Sequence, residues 1–159
     1  MGQLSKILKE LRIDDKEVWD MCVKYFVKER YRPTLEESIN ALEGLHYYKT
    51  CIMTPISNDK TISRLDSNTS VKQDSLDTIL DKVERNIYLT IWNDNQKVFN
   101  RVVTGLVDLE RFDNTKLYNR ISEYLLGNLS MDYESELVID TCFKIFLAGH
   151  GNEQMLTML

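Results

Sequence analysis

The segment from Lys97 to Phe112, KVFNRVVTGLVDLERF, constrains the fold more than any other part of the 159-residue chain. Wound as an α-helix, it is apolar on almost every side. A helix of this kind is typical of the centre of a bundle, where amphipathic helices cover all but one strip of it. Four of its polar residues are aligned along that strip, at spacings of i, i+4, i+7 and i+11: Lys97, Arg101, Thr104 and Asp108.

Helical periodicity continues through most of the remaining sequence, with apolar residues recurring at intervals of three and four. Ser5, Asp14 or Asp15, and Thr34 are positioned to begin helices, and Gly149 is positioned to end one. Only six glycines and two prolines occur, which disfavours β architectures with many turns. We therefore predict an all-α fold, a bundle of seven to eight helices around the central apolar helix, in a single domain over 1–159.

One long segment interrupts the helical pattern. Residues 50–74, TCIMTPISNDKTISRLDSNTSVKQD, are rich in serine, threonine, asparagine and aspartate and carry no sustained apolar stripe. Loops of this length in compact domains are usually functional or disordered. We predict a mobile loop at about 50–74, with the helical pattern returning at Ser75.

Charge and composition narrow the class of partner and the cellular location. The net charge is -5 and the isoelectric point about 5.1, with no basic block, which argues against a nucleic-acid partner. No apolar run of membrane-spanning length occurs, so no transmembrane anchor is expected. Three cysteines without metal spacing are typical of reduced thiols in a cytoplasmic protein: Cys22, Cys51 and Cys142.

The residues that usually carry catalysis form no constellation here. His46 and His150 are far apart and lack ligand-spaced companions, and both are interpreted as surface or cap histidines. Neither a phosphate-binding loop nor a nucleophile elbow is present. The sequence therefore predicts no catalytic residue, no metal site and no cofactor, and a protein that is not an enzyme.

Three segments of the chain resemble the B-cell-lymphoma (Bcl) family of apoptosis regulators, particularly its divergent viral members. DKEVWDMCVKYFVKERY is similar to the first amphipathic helix of that family, and LYNRISEYLLGNL is similar to its sixth helix. IWNDNQKVFNRVVTGLV resembles the homology motif in which Asn-Trp-Gly-Arg precedes the central helix. In that last segment Lys97, or Arg101 one turn later, stands where the family has its arginine.

The resemblance implies an inhibitor of apoptosis that sequesters the amphipathic death-motif (BH-three) helices of pro-apoptotic proteins in a hydrophobic groove. Helices over 35–48 and 75–92 are expected to wall this groove, and the beginning of the helix over 97–109 is expected to form its floor. A cation on the floor is expected to pair with an aspartate of the bound helix. The candidate groove residues are Leu42, Leu45, Tyr48, Val83, Ile87, Lys97, Val98 and Arg101.

Alternatives from other classes stay open at this point. Some viral proteins of this fold bind innate-immune signalling proteins through flat faces instead of a groove. The opening residues MGQ are also compatible with a matrix-like structural protein, and a spare apolar face with a homodimer. Action in the cytoplasm, with transient contact at mitochondria, is the expected localisation of the groove-binding class.

Overall fold

The structure, a computed structural model, describes residues 2–27, 32–53, 69–92, 95–127 and 135–157. Within these residues the chain is all-helical and contains no strand, as predicted. The α-helices are α1 (Gly2–Glu10), α2 (Lys16–Val27), α3 (Leu35–Tyr47), α4 (Thr69–Thr90), α5 (Gln96–Asp108), α6 (Thr115–Gly127), α7 (Ser135–Leu147) and α8 (Glu153–Leu156). A π-helical segment, Tyr48–Met53, directly follows α3.

Three helix boundaries lie where the sequence predicts them, because the residues that set them act locally. The Asp15 carboxylate accepts hydrogen bonds from the first backbone amides of α2. Thr34 and Glu37 form a capping box, each side chain accepting a hydrogen bond from the backbone amide of the other. Gly149, with φ at +81°, ends the turn after α7 in the left-handed region, which glycine adopts without strain.

Ser5 does not cap a helix, so that prediction was wrong. It lies inside α1, is buried, and its hydroxyl donates a hydrogen bond of 3.2 Å to the backbone carbonyl of Asn40. The physical reason is a close approach of α1 to α3. A Cβ added at Gly44 would lie 2.5 Å from the Cβ of Ser5, so only glycine fits at this crossing.

The predicted loop over 50–74 is helical at both ends. Its first residues belong to the π-helical segment, and α4 begins at Thr69, six residues before the predicted restart at Ser75. The residues between, 54–68, lie outside the described part of the chain. The mobility of that segment stays a prediction.

The chain divides into two compact units, Met1–Ile87 and Tyr88–Leu159, with the division inside α4. The prediction of a single domain therefore stays a prediction. In the first unit, α1 packs against α2 and α3, and the side-chain amide of Asn86 in α4 donates hydrogen bonds to Pro33 and Ser38 at the beginning of α3. Both hydrogen bonds are 2.8 Å long.

An aromatic cluster joins α2 to the end of α3 in the first unit. The ring of Trp19, which is 1% exposed, lies 5.8 Å from the ring of Tyr47 and 5.9 Å from that of Tyr48. Each tyrosine hydroxyl donates a hydrogen bond to an aspartate, Tyr47 to Asp14 and Tyr48 to Asp20. The hydrogen bond to Asp14 raises the pKa of Tyr47 to about 12, and burial together with the hydrogen bond to Asp20 raises the pKa of Tyr48 above its ordinary value.

In the second unit α5 packs mainly against α7 and also contacts α6. Its residues between Gln96 and Asp108 are buried or half-buried except for Lys97 and Asp108, so the prediction of a largely buried helix is confirmed. The side chains that it buries completely are Phe99, Val102, Val103 and Leu106. Whether α5 is central to the entire bundle stays a prediction.

Candidate protein-interaction surfaces

The groove residues predicted from the sequence fall in both units. Five of them belong to the first unit, where each side chain is at most 3% exposed: Leu42, Leu45, Tyr48, Val83 and Ile87. These five are core residues in this structure, and a partner could contact them only after displacing the side chains that cover them. Their role in binding stays a prediction.

The remaining three groove candidates lie in the first two turns of α5. Lys97 is exposed, and Val98 and Arg101 are half-buried. Asn95 begins this helix, and its side chain accepts a hydrogen bond of 3.1 Å from the backbone amide of Val98. The predicted cations therefore lie one helical turn apart at the beginning of a well-capped helix.

The middle of the predicted polar stripe on α5 is covered by α7. Lys144 donates a hydrogen bond of 2.9 Å to the Thr104 hydroxyl and forms an ion pair of 2.5 Å with Asp140. Asn100 donates to the Asp140 carboxylate at 2.6 Å and to the Thr141 hydroxyl at 3.0 Å. This network orients α7 on α5, and it means that Thr104 does not line an open groove floor.

The same network sets the charge state of Asp140. The hydrogen bond from Lys144 is the main cause that holds the pKa of this carboxyl below its usual value, with the amide of Asn100 acting in the same direction. Burial opposes them by favouring the neutral form. The side chain of Asp140 is 44% exposed, so solvent screens the ion pair and weakens its contribution to stability.

Helix α7 presents a second apolar face that the sequence analysis missed. One face is buried, with Val138, Cys142 and Ile145 at 3% exposure or less. The other face carries three apolar side chains at intervals of four residues, which we call the α7 row: Ile139 at 41%, Phe143 at 53% and Leu147 at 60% exposure. The spacing of both faces is visible in SELVIDTCFKIFL, and this signal could have identified α7 as apolar on two sides.

The first unit exposes a similar but separate row on α1 and the turn after it. Leu4, Ile7 and Leu11 are 42%, 48% and 66% exposed, whereas Leu8, one turn after Leu4, is buried. Apolar side chains that are exposed and contiguous are typical of a surface that binds another protein. Here the row is flanked by half-buried lysines.

His150 and two of the three cysteines singled out in the sequence are packed against other residues. The backbone amide of His150 donates to the Ile145 carbonyl just after α7, and its ring stacks on Tyr118 with centroids 4.5 Å apart. Burial raises the pKa of the Cys22 and Cys142 thiols, whereas Cys51 is exposed. Among the described residues no group of three or more metal-ligating side chains occurs.

The described residues thus define an all-helical protein whose helices leave apolar rows on their outer faces. No helix in the described ranges combines the length and the apolar character needed to cross a bilayer. Comparison of the chain with models of protein families, with curated proteins and with solved structures finds no match.

Proposed function

We propose that this chain binds an amphipathic helix of a partner protein, and that it thereby inhibits apoptosis by sequestering death-motif (BH-three) helices of pro-apoptotic Bcl-family proteins. The α7 row is the observation that supports helix binding. Ile139, Phe143 and Leu147 are spaced like the apolar face of a helix, and each leaves two-fifths or more of its surface in water. The Bcl-type partner follows from the resemblance of three sequence segments to that family.

The size of the α7 row favours one partner helix over a second folded copy of the chain. Three large side chains, each about half exposed, offer on the order of 300 Å² of apolar surface. A stable interface between two folded proteins buries about 800 Å² on each partner. One face of an amphipathic helix, by contrast, inserts a few apolar anchors at three- and four-residue spacing.

The groove predicted from the sequence is a second docking place for the same partner. Docking there requires an opened state, because its wall residues are at most 3% exposed. The need for opening weakens binding, because the apparent affinity is the intrinsic affinity multiplied by the fraction of molecules that are open. The α7 row needs no opening, which is why we place the partner helix there.

Binding of innate-immune signalling proteins is a second candidate function, and the burial of the wall residues favours it. A protein that has lost its groove retains its outer helix faces for flat contacts. In that case the apolar rows would serve a folded signalling domain, and death-motif peptides would not bind. The α1 row of Leu4, Ile7 and Leu11 supplies additional exposed surface for a partner of this kind.

Isothermal titration calorimetry with a panel of death-motif peptides tests the proposal. Phe143→Ser should weaken binding about tenfold or more, because it removes a large anchor from the middle of the row. Leu11→Ser is the matched control, since it removes an exposed apolar side chain from the other unit. Failure of every peptide to bind the wild type would remove the death-motif proposal and leave the signalling candidate.

Charge reversal on α5 separates the two docking places. If the peptide docks in the groove, Lys97→Glu combined with Arg101→Glu should weaken binding roughly tenfold. The aspartate of the bound helix would lose the cation with which it pairs and would be repelled by the new carboxylates. Docking on the α7 row predicts little change from this double variant. A substitution such as Val83→Asp is unsuitable, because at 1% exposure it would bury a charge and destabilise the fold.

A further inference from the structure

A cation held against two aromatic rings marks another surface of the second unit. The guanidinium carbon of Arg120 in α6 lies 4.1 Å from the ring centroid of Trp92 and 4.6 Å from that of Tyr88. Trp92 is itself fixed, because its indole N–H donates a hydrogen bond of 2.8 Å to the carbonyl of Leu89 at the end of α4. Together with Lys116, these residues make up what we call the Arg120 patch: Tyr88, Leu89, Trp92, Lys116 and Arg120.

The patch is open to solvent and contains large apolar surface. Trp92 is 62% exposed and Leu89 is 57% exposed, and Lys116 is also exposed. Tyr88 and Arg120 are half-buried, which is the exposure expected of side chains that support a surface from beneath. Tryptophan, tyrosine and arginine are the residue types that dominate binding energy in protein interfaces.

The electrostatics of the patch are unusual for a chain with a net charge of -5. Lys116 and Arg120 lie four residues apart on α6, so their charges are on one side of the helix. Within the described ranges, neither cation forms an ion pair with a carboxylate, and the exposed Glu123 one turn further along does not pair with Arg120. The guanidinium group of Arg120 packs against the two rings, and this leaves the N–H donors at its edge to face a partner.

We propose that the Arg120 patch binds an acidic segment of a partner protein, in which a carboxylate pairs with Arg120 and a neighbouring apolar side chain packs on Leu89 and Trp92. A planar guanidinium edge matches the two oxygens of a carboxylate and forms paired hydrogen bonds with it. The two rings hold the arginine in place, so less side-chain entropy is lost when the partner binds. The positive charge of Lys116 adds attraction for an acidic segment and repels a basic one.

This inference does not depend on the death-motif proposal. The Arg120 patch and the α7 row share no residue, so variants can remove one surface and leave the other. Phe143→Ser should therefore leave the Arg120 patch active, and Arg120→Gln should leave peptide binding at the α7 row unchanged.

The first test is a peptide-display selection on the full chain. A library randomised at every position is selected on the wild type and then depleted on Arg120→Gln, which keeps N–H donors on a polar side chain but removes the charge. Peptides that bind the wild type and not the variant should be enriched in aspartate and glutamate beside apolar residues. If no peptides distinguish the two proteins, or if those that do carry no excess of acidic residues, the proposal is overturned.

Tryptophan fluorescence then shows where a selected peptide binds. The chain has two tryptophans, and Trp19 is 1% exposed whereas Trp92 is 62% exposed, so acrylamide quenches mainly Trp92. A bound peptide should reduce this quenching. Unchanged quenching at saturating peptide would show that the peptide binds elsewhere and would overturn the assignment.

Matched variants complete the test. Affinity for a selected peptide should fall about tenfold in Arg120→Gln and about threefold in Arg120→Lys, which keeps the charge but loses the paired hydrogen bonds. Lys24→Gln removes one cation from an exposed position of α2 and should change affinity less than twofold. Equal losses in Lys24→Gln and Arg120→Gln would show that the attraction is a property of net charge and would refute a specific site. Circular dichroism of each variant verifies that the fold is retained.

Discussion

Replacing Gly44 with alanine tests the close crossing of α1 and α3, on which the first unit depends. The added Cβ would lie 2.5 Å from the Cβ of Ser5 and 2.8 Å from its hydroxyl oxygen. Carbon atoms in contact normally lie about 3.5–4.0 Å apart, so α1 must retreat by about 1 Å. That movement lengthens the 3.2 Å hydrogen bond from Ser5 to Asn40 beyond its effective range.

The expected loss of stability follows from opposing contributions. Overpacking in a tight contact destabilises by about 1–3 kcal/mol, and the lost hydrogen bond contributes about 1 kcal/mol more. Alanine recovers about 1 kcal/mol through its higher helix propensity. We therefore expect Gly44→Ala to lower the free energy of unfolding by about 1–3 kcal/mol in total.

Urea unfolding followed by circular dichroism measures this change. Gly127→Ala is the matched control, because no heavy atom lies within 4 Å of the added Cβ and the site is the last residue of α6. In a Ser5→Gly background the cost of Gly44→Ala should shrink, since the two side-chain atoms that it meets are gone and only the backbone carbon at 3.3 Å remains. A Gly44→Ala variant as stable as Gly127→Ala would refute the close crossing.

Three further predictions concern packing, acid stability and thiol reactivity. Gly151→Ala should destabilise by about 1–3 kcal/mol, because its Cβ would meet the Phe146 ring; an unchanged thermal midpoint would contradict this contact. Asp140→Asn should lower the free energy of unfolding near neutral pH by less than about 1 kcal/mol. The pKa of Asp140 is depressed in the folded protein, so its carboxylate stabilises the fold at pH values above the ordinary pKa of an aspartate. That difference should disappear as the pH falls through the lowered pKa, and a difference that persists in acid would refute the ion pair as its source. The exposed Cys51 should react with a thiol reagent much faster than the two buried cysteines, and three equal rates in the folded protein would contradict their burial.

Local signals in the sequence predict the helices well. Asp15 and Thr34 begin helices because their side chains bond to amides two or three residues away, and neighbours elsewhere in the fold hardly affect this. Gly149 ends a turn for a similarly local reason. Ser5 has the same chemistry as a cap, but its place inside α1 depends on Gly44, which the sequence does not mark as its neighbour.

Surfaces are harder to predict, because they depend on which faces of the helices meet. Leu42 and Val83 belong to apolar stripes with ordinary helical spacing. That spacing is the same for a residue in a groove wall and for one in the buried core. The α7 row is a second apolar period within SELVIDTCFKIFL, but periodicity alone does not show which of the two apolar faces of α7 is packed. The contact of Arg120 with Trp92 joins segments distant in sequence, so no spacing rule reveals it.

Chemical-shift mapping tests most directly whether a partner helix docks on the exposed face of α7. A death-motif peptide is titrated into isotopically labelled protein, and the backbone amide signals are followed. The largest shifts are expected to cluster around Ile139, Phe143 and Leu147 and to disappear in Phe143→Ser. Largest shifts around Leu42 and Val83 instead, or no shifts at saturating peptide, would contradict it.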